Sequence, residues 1–331
     1  VKITINDLAK EAGVSIASIS RYLNNKYEVS NKTISKIEKA IEKLNYKPYA
    51  SAHILSIQTI GILIPDINNL YYLPVTEGIE AEMQRNDFNI FICHTNNRTS
   101  NNHIENLIEK KVDGFIFYGP LEESKRPIIS ELSKNKPVLI INDDIMEANV
   151  YSVMTDSVRG AYQAIKYLIK LGHKKIGFIN GSTDYLTYRN KLSGYKKALT
   201  DNNLPIEKKY IVHEEPHEAG GYSGLNKLLE LKERPTAIFT ASDQMAIGVM
   251  RACYERNLKI PDDVSLIGFS DIRLASELSP RLTTVNQFPY DTGRIAAETI
   301  LKVIKKDRLS QRMILIEPKV SIRESCKSLV S

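Results

Sequence analysis

Residues 4–24 read TINDLAKEAGVSIASISRYLN. Thr4 with Asp7 three positions on is a capping-box spacing, Asp standing in for Glu. It opens a helix whose apolar face is Ile5, Leu8, Ala9 and Ala12. Ala12-Gly13-Val14 supplies a turn, because Gly adopts left-handed torsions at no steric cost. Ser15 opens a second helix that turns Ile19 and Leu23 inward. Helix, short turn and helix form a helix-turn-helix, a motif that lays its second helix in the DNA major groove.

Outward from this stretch, a third helix is expected from near Ser30, with Ile34, Ile37, Ile41 and Leu44 on one stripe. Asn45-Tyr46-Lys47-Pro48 ends it, since the residue before Pro avoids helical torsions. Residues 1–48 therefore read as a headpiece. Residues 49–58 (YASAHILSIQ) read as a hinge helix, too short to be stable alone. Residues 1–58 carry nine Lys and Arg against five acids, so about two thirds of the formal +6 charge of the 331-residue chain sits there. A local basic surplus is the footprint of a module that contacts phosphates.

From residue 59 the pattern changes. Apolar runs at 60–64, 88–92, 114–118, 137–141, 175–179, 236–239, 264–269 and 282–285 alternate with helical stretches such as 72–85, 158–171, 190–200 and 245–256. Strand–helix alternation predicts parallel sheets covered by helices. The expected fold class is α/β, an all-α headpiece followed by a two-lobed, doubly wound body over 59–331. The N-lobe is expected at about 59–155 and 289–317, and the C-lobe at about 156–288 and 318–331. Three scattered cysteines, Cys93, Cys253 and Cys326, suit reduced thiols. No basic-then-apolar signal segment and no membrane-length apolar run appear, so a cytoplasmic protein with no membrane partner is expected. No two glycines are separated by a single residue, which excludes GxGxxG. A P-loop and a G-x-S-x-G elbow are also absent, so neither an enzyme nor a cofactor is expected.

The strings DLAKEAGVSIASISRYLN (7–24), SNKTISKIEKAIEKLNYKP (30–48), IGILIPD (60–66), KKVDGFIFYG (110–119), LGHKKIGFING (171–181), ASDQMAIGVMRA (241–252), VSLIGFSD (264–271) and LTTVNQ (282–287) run in one order. In that order they resemble the lactose/galactose repressor (LacI/GalR) family along nearly the whole chain. The resemblance implies a homodimer on a palindromic double-stranded operator and a periplasmic-binding-protein-like body that holds a small effector, a sugar or sugar derivative. It implies Ile16, Ala17 and Arg21 as base readers. Arg21 can pair with guanine O6 and N7, whereas Ile16 and Ala17 can only pack on thymine methyls. Ser15, Ser18 and Ser20 are caps or phosphate donors, and Lys32, with Lys2 and Lys36, is a phosphate candidate. Leu55 takes the place of the leucine that relatives wedge into the operator's minor groove, with Ala52 one turn earlier.

An effector belongs in the cleft between lobes, at strand carboxyl ends. The loop Asp66-Ile67-Asn68-Asn69-Leu70-Tyr71-Tyr72 resembles the family's D-x-x-N-P-F-F. It offers Asp66 and Asn69 to hydroxyls and Tyr71 or Tyr72 to a sugar face. Asn142 stands where many relatives carry Asp. Lys191 stands where they carry an effector-binding Arg, a role Arg189 could take instead. Ser242, Ser270 and Asp271 end C-lobe strands, and Gln287 sits at a lobe crossing. Asp243 reads as structural and His173 as a helix-end residue. His213 and His217 have helical metal spacing, but Pro216 lies between them and no third ligand is evident, so no metal site is expected. Only eight residues follow Arg323, too few for a tetramerising coiled coil, so dimers are expected. The competing readings are control by a purine, control by a phosphorylated partner protein, and a solute-binding protein.

Overall fold

The computed structural model describes residues 3–24, 29–44, 46, 58–94, 112–147, 149–307, 309 and 311–330. They fall into two compact units, one holding the headpiece helices and the other both sheets. Helices α1 (Ile5–Ala12), α2 (Ile16–Asn24) and α3 (Asn31–Lys43) make up the first. The capping box at Thr4 is formed: its amide donates to the Asp7 carboxylate at 2.8 Å, and its hydroxyl accepts from the Asp7 amide. Gly13 ends α1 at φ 61°, where a side chain would be strained. Ser30 caps α3 by accepting from the Thr33 amide. Leu8, Ile19 and Ile37 are fully buried and, with Ala9, Ala12 and Ala40, form the centre of a small shared core. Each large side chain contributes roughly 1.5–3 kcal/mol on burial. With so few of them the unit is marginal, and its caps matter.

The second unit begins with β1 (Thr59–Ile64), α4 (Tyr72–Arg85), β2 (Asn89–His94), β3 (Gly114–Tyr118), α5 (Arg126–Ser133), β4 (Val138–Ile141) and β5 (Val150–Thr155). It continues with α6 (Ser157–Lys170), β6 (Ile176–Asn180), α7 (Leu186–Asp201), β7 (Ile211–His213), α8 (Glu218–Leu229), β8 (Ala237–Thr240), α9 (Asp243–Glu255), β9 (Ser265–Ser270) and β10 (Thr283–Asn286). It ends with α10 (Pro289–Ile304), β11 (Met313–Ile316) and β12 (Lys319–Ser321). Two six-stranded sheets result, ordered β11-β5-β4-β3-β1-β2 and β12-β10-β9-β8-β6-β7. The pairs β1–β3, β3–β4, β4–β5 and β5–β11 are parallel, as are β6–β7, β6–β8, β8–β9 and β9–β10. β12 runs antiparallel to β10.

The backbone passes from one sheet's lobe to the other's between Thr155 and Ser157, between Asn286 and Pro289, and between Ile316 and Lys319. Four strands lie outside the expected runs: β5, β7, β11 and β12. Helices α4 and α10 pack through facing glycines. A Cβ at Gly78 would fall 2.1 Å from Tyr290 O, and one at Gly293 would fall 1.9 Å from Val75 O. In each sheet the order reverses beside an inner strand, at β1 and at β6, which opens a crevice at the strand carboxyl ends.

Candidate functional site

On the headpiece, α2 leaves Ile16 51 % exposed. Ala17 and Arg21 on the same helix are also exposed, and no ion pair among the described residues engages Arg21. The Ser15 hydroxyl accepts from the Ser18 amide at 3.1 Å and lies 2.9 Å from the Ser18 hydroxyl. Both hydroxyls therefore serve the start of α2, which favours the cap for Ser15. Ser20 is half-buried in the same helix, and Lys32 is exposed in the first turn of α3. Ala52 and Leu55 lie outside the described residues, as does Lys2.

In the body, the carboxyl ends of strands from both lobes converge on one cleft. Its outer part encloses about 740 Å³ and draws Asp66, Asn69, Tyr72 and Glu122 from one lobe and Asp184, Tyr185, Tyr188, Glu215 and His217 from the other. An inner pocket of about 60 Å³ shares Asn69, Tyr72, Pro120 and Tyr188 with it. Tyr71, Asn142, Lys191, Ser242, Ser270 and Gln287 also line the inner pocket. Positive φ angles cluster at these strand ends: Asn142 at 59°, Ser270 at 147°, Asp271 at 57° and Phe288 at 50°. Strained non-glycine backbone of this kind persists where the surroundings enforce it, commonly at ligand sites.

The pocket's polar groups hold one another in place. Asn142 donates to the Tyr71 hydroxyl at 2.8 Å and accepts from the Thr155 amide at 2.9 Å. The Tyr72 hydroxyl donates to Gly119 O at 2.8 Å, and Gln287 donates to the Ser270 hydroxyl at 3.0 Å. Burial pushes the Tyr71 phenol up to about 12 and raises those of Tyr72 and Tyr188, so all three are neutral hydroxyls at pH 7. Lys191 is only 5 % exposed. Its ammonium donates to Ala241 O at 2.8 Å and stands 4.2 Å from the centre of the Phe269 ring. Burial pushes it down to about 7, against a smaller opposing pull from the Asp243 carboxylate. Asp243 is held by the Thr284 hydroxyl of β10 and the Ile272 amide just beyond β9, and burial raises it to about 6.

Arg189 and Asp271 line neither cavity. The Arg189 guanidinium donates to Thr183 O and Asp184 O, bracing its own loop. The Asp271 carboxylate accepts from Arg323 and from the Ser321 hydroxyl, each at 2.7 Å, and ties β12 to the end of β9. His213 and His217 share no helix: one ends β7 and the other precedes α8. The His213 ring pairs with Gly181 O at 2.9 Å, while His217 lies 3.8 Å from Asp66 across the cleft. Among the described residues no group of three or more His, Cys, Asp or Glu side chains is placed to hold a metal. The His173 ring is buried between Thr236 and Lys327 O. Tyr185, Thr187 and Tyr188 were not singled out from sequence. The signal available was the GSTDY loop that follows the KIGFIN strand.

What the arrangement can do is hold a polyhydroxylated molecule. Amide and hydroxyl groups at the bottom are pre-oriented by each other, tyrosine rings flank the opening, and carboxylates at the mouth accept from hydroxyls. Among the described residues no helix is long and apolar enough to cross a membrane. Residues 4–49 match the profile of bacterial regulatory proteins of the lacI family, and residues 165–326 match that of a periplasmic binding protein-like domain. The chain is 35 % identical to catabolite control protein A of Priestia megaterium, over 99 % of this chain and all of that one. It is 34 % identical to the ribose operon repressor of Haemophilus influenzae, over 98 % of this chain and 99 % of that one. A lac repressor dimer bound to operator and the anti-inducer ONPF superposes with a TM-score of 0.84 at 24 % identity, covering 99 % of this chain and all of that one, a likeness of fold. Helix-turn-helix, two-lobed body and full-length relatives agree: the chain belongs to the LacI family of bacterial regulatory proteins.

Proposed function

We propose that this protein is a homodimeric, cytoplasmic repressor of a carbohydrate-utilisation operon, and that a sugar-like effector in the interlobe cleft sets its affinity for a palindromic operator. The observation that carries the reading is the joining, in one chain, of a helix-turn-helix with an exposed second helix to a cleft walled by the strand ends of two lobes. The names of the relatives support it: one is a catabolite control protein and another a ribose operon repressor. In this reading Arg21 reads a guanine, Ile16 and Ala17 pack on thymine methyls, and Lys32 binds phosphate. Leu55, with Ala52 beside it, wedges a central base step. Asp66, Asn69, Tyr71, Tyr72, Asn142, Lys191, Ser242, Ser270 and Gln287 receive the effector. An effector acts only through its different affinity for the two lobe arrangements, and a coupling of about 1–3 kcal/mol changes operator affinity roughly 5- to 150-fold. The test is selection of bound fragments from genomic DNA, followed by anisotropy titration of the winning duplex with and without a panel of saccharides. A fragment bound at least a hundredfold tighter than random DNA, and a saccharide that shifts that affinity, support the proposal. Binding without sequence preference refutes it.

A further inference from the structure

The inner pocket has a polarity that narrows the effector class. At its base stands Lys191 on α7, almost wholly buried, with one of its three N–H donors on Ala241 O and aromatic faces of Phe269 and Tyr188 beside it. No carboxylate among the described residues forms an ion pair with it, and no acid lines the inner pocket. A buried ammonium with only the weaker pull of the Asp243 carboxylate, which lies outside the pocket lining, is costly, and a ligand that brings an anionic oxygen lowers that cost. At about 60 Å³ the inner pocket takes about two water-sized groups, enough for a carboxylate and too little for a sugar ring. The mouth has the opposite character. Asp66 comes from one lobe and Asp184 and Glu215 from the other, none ion-paired to Lys or Arg among the described residues, while Glu122 pairs with Lys125 and Glu214 with Lys227. Carboxylates there accept from hydroxyls and repel a second negative charge.

We infer that the effector is a sugar carboxylate, an aldonate or uronate, whose single carboxylate sits on Lys191 and whose hydroxyl-bearing body lies in the outer cleft between Tyr72, Tyr185 and Tyr188. This rests on the proposed effector role of the cleft and specifies its ligand. The gradient disfavours a phosphate ester, whose two negative charges would meet one ammonium inside and the acidic rim outside. Binding is also proton-linked. Lys191, pushed down to about 7 by burial, returns to its charged form when the carboxylate arrives. The other titratable groups around it are Asp243 on α9 and the neutral phenols of Tyr71, Tyr72 and Tyr188.

The experiment is isothermal titration of the full-length protein at pH 7.5 with D-gluconate, D-galacturonate, D-glucose, D-galactose and D-glucose 6-phosphate. It is repeated in phosphate and in Tris so that proton uptake reads out separately. At least one acid should bind tenfold or more tighter than its neutral sugar and than the phosphate ester, with net proton uptake. In Lys191→Met that preference and the uptake should vanish. A neutral sugar or the phosphate ester that binds as well as the acids overturns the inference. So does an acid preference that survives in Lys191→Met. If the winning neutral sugar shifts operator affinity, the inference falls and the proposed function stands. If no ligand of any kind binds, both the inference and the effector role of the cleft fall.

Discussion

The contact between α4 and α10 allows a prediction whose sign depends on two opposing magnitudes. Replacing Gly293 by Ala removes a glycine from a helix interior, a gain of about 1 kcal/mol in helix propensity. The new methyl, however, would sit 1.9 Å from Val75 O and 2.8 Å from Val75 C, both backbone atoms of α4. Carbon-to-carbonyl contacts settle near 3.3 Å, so the helices must separate by about 1.4 Å. Overpacking costs about 1–3 kcal/mol, and with only backbone atoms there to yield this contact sits at the upper end, about 2–3 kcal/mol. Steric cost therefore outweighs propensity, and Gly293→Ala should lose about 1–2 kcal/mol net, or about 2–8 °C in Tm. The loss should reach the cleft, because α4 begins at Tyr72 and α10 follows Gln287, both pocket residues. Urea unfolding of the isolated variant measures the first effect and ligand titration the second. Gly78→Ala, whose methyl would lie 2.1 Å from Tyr290 O, serves as an independent copy. A variant equal to or more stable than the native chain, with unchanged ligand affinity, would refute the close-packing argument.

The other predictions concern the switch itself. Arg21→Ala should cost about 1–3 kcal/mol of discrimination between operator and random duplex while leaving the headpiece folded. An equal loss on both duplexes would make Arg21 a phosphate contact. Leu55→Ser should weaken operator binding at least tenfold with no change in headpiece melting, and an unchanged gel-shift midpoint would remove the wedge. Lys191 has a folded-state pKa depressed from 10.5 to about 7, so the native state binds fewer protons than the unfolded chain between those values. Stability should accordingly rise with pH in that window, by about 2 kcal/mol from pH 7 to pH 9. Paired urea titrations of the native protein and Lys191→Met check this, since the variant should lack that slope.

What was legible in the sequence was local. Thr4 and Asp7 cap a helix wherever they meet that spacing, and runs such as GFIFY and VSLIGF can scarcely be anything but buried strands. The missed strands depend on distant partners. VYSVMT of β5 reads as polar at Ser152, which is buried because its hydroxyl reaches Asp144. β7 and β12 have three residues each and exist only because a neighbour offers an edge. In the cleft, the strand-end positions were readable because doubly wound sheets bring their strand carboxyl ends to one crevice. Lys191 and Arg189 were not separable, because two positions on a helix lie about 200° apart and nothing local says which faces in. Packing decides: Lys191 turns to the pocket and Arg189 to the surface loop. Asp271 was lost for a related reason, since its partner Arg323 is far away in sequence.

In the proposed function a small ligand decides the state of the body, and the fold suits that role. Three backbone passages join the lobes, so their relative motion is confined to a hinge about those segments. At one of them Phe288 is held at φ 50°, a conformation that an L-residue adopts at a cost, and its amide is tied to the Asn286 side chain at 2.6 Å. Across the mouth, the protein's own polar contacts among the described residues are long: Gln244 to Asn68 O at 3.4 Å and His217 to Asp66 at 3.8 Å. Contacts of that length contribute little, and carboxylates on both rims oppose closure. In the proposed function the chain supplies the hinge and the effector supplies the closing force. In the proposed reading, a ligand that bridges Asn69 and Asn142 on one side and Gln287 with the C-lobe strand ends on the other adds interactions between the lobes. In that reading the ligand's affinity differs between the two lobe arrangements, because most of its contacts need both walls within reach.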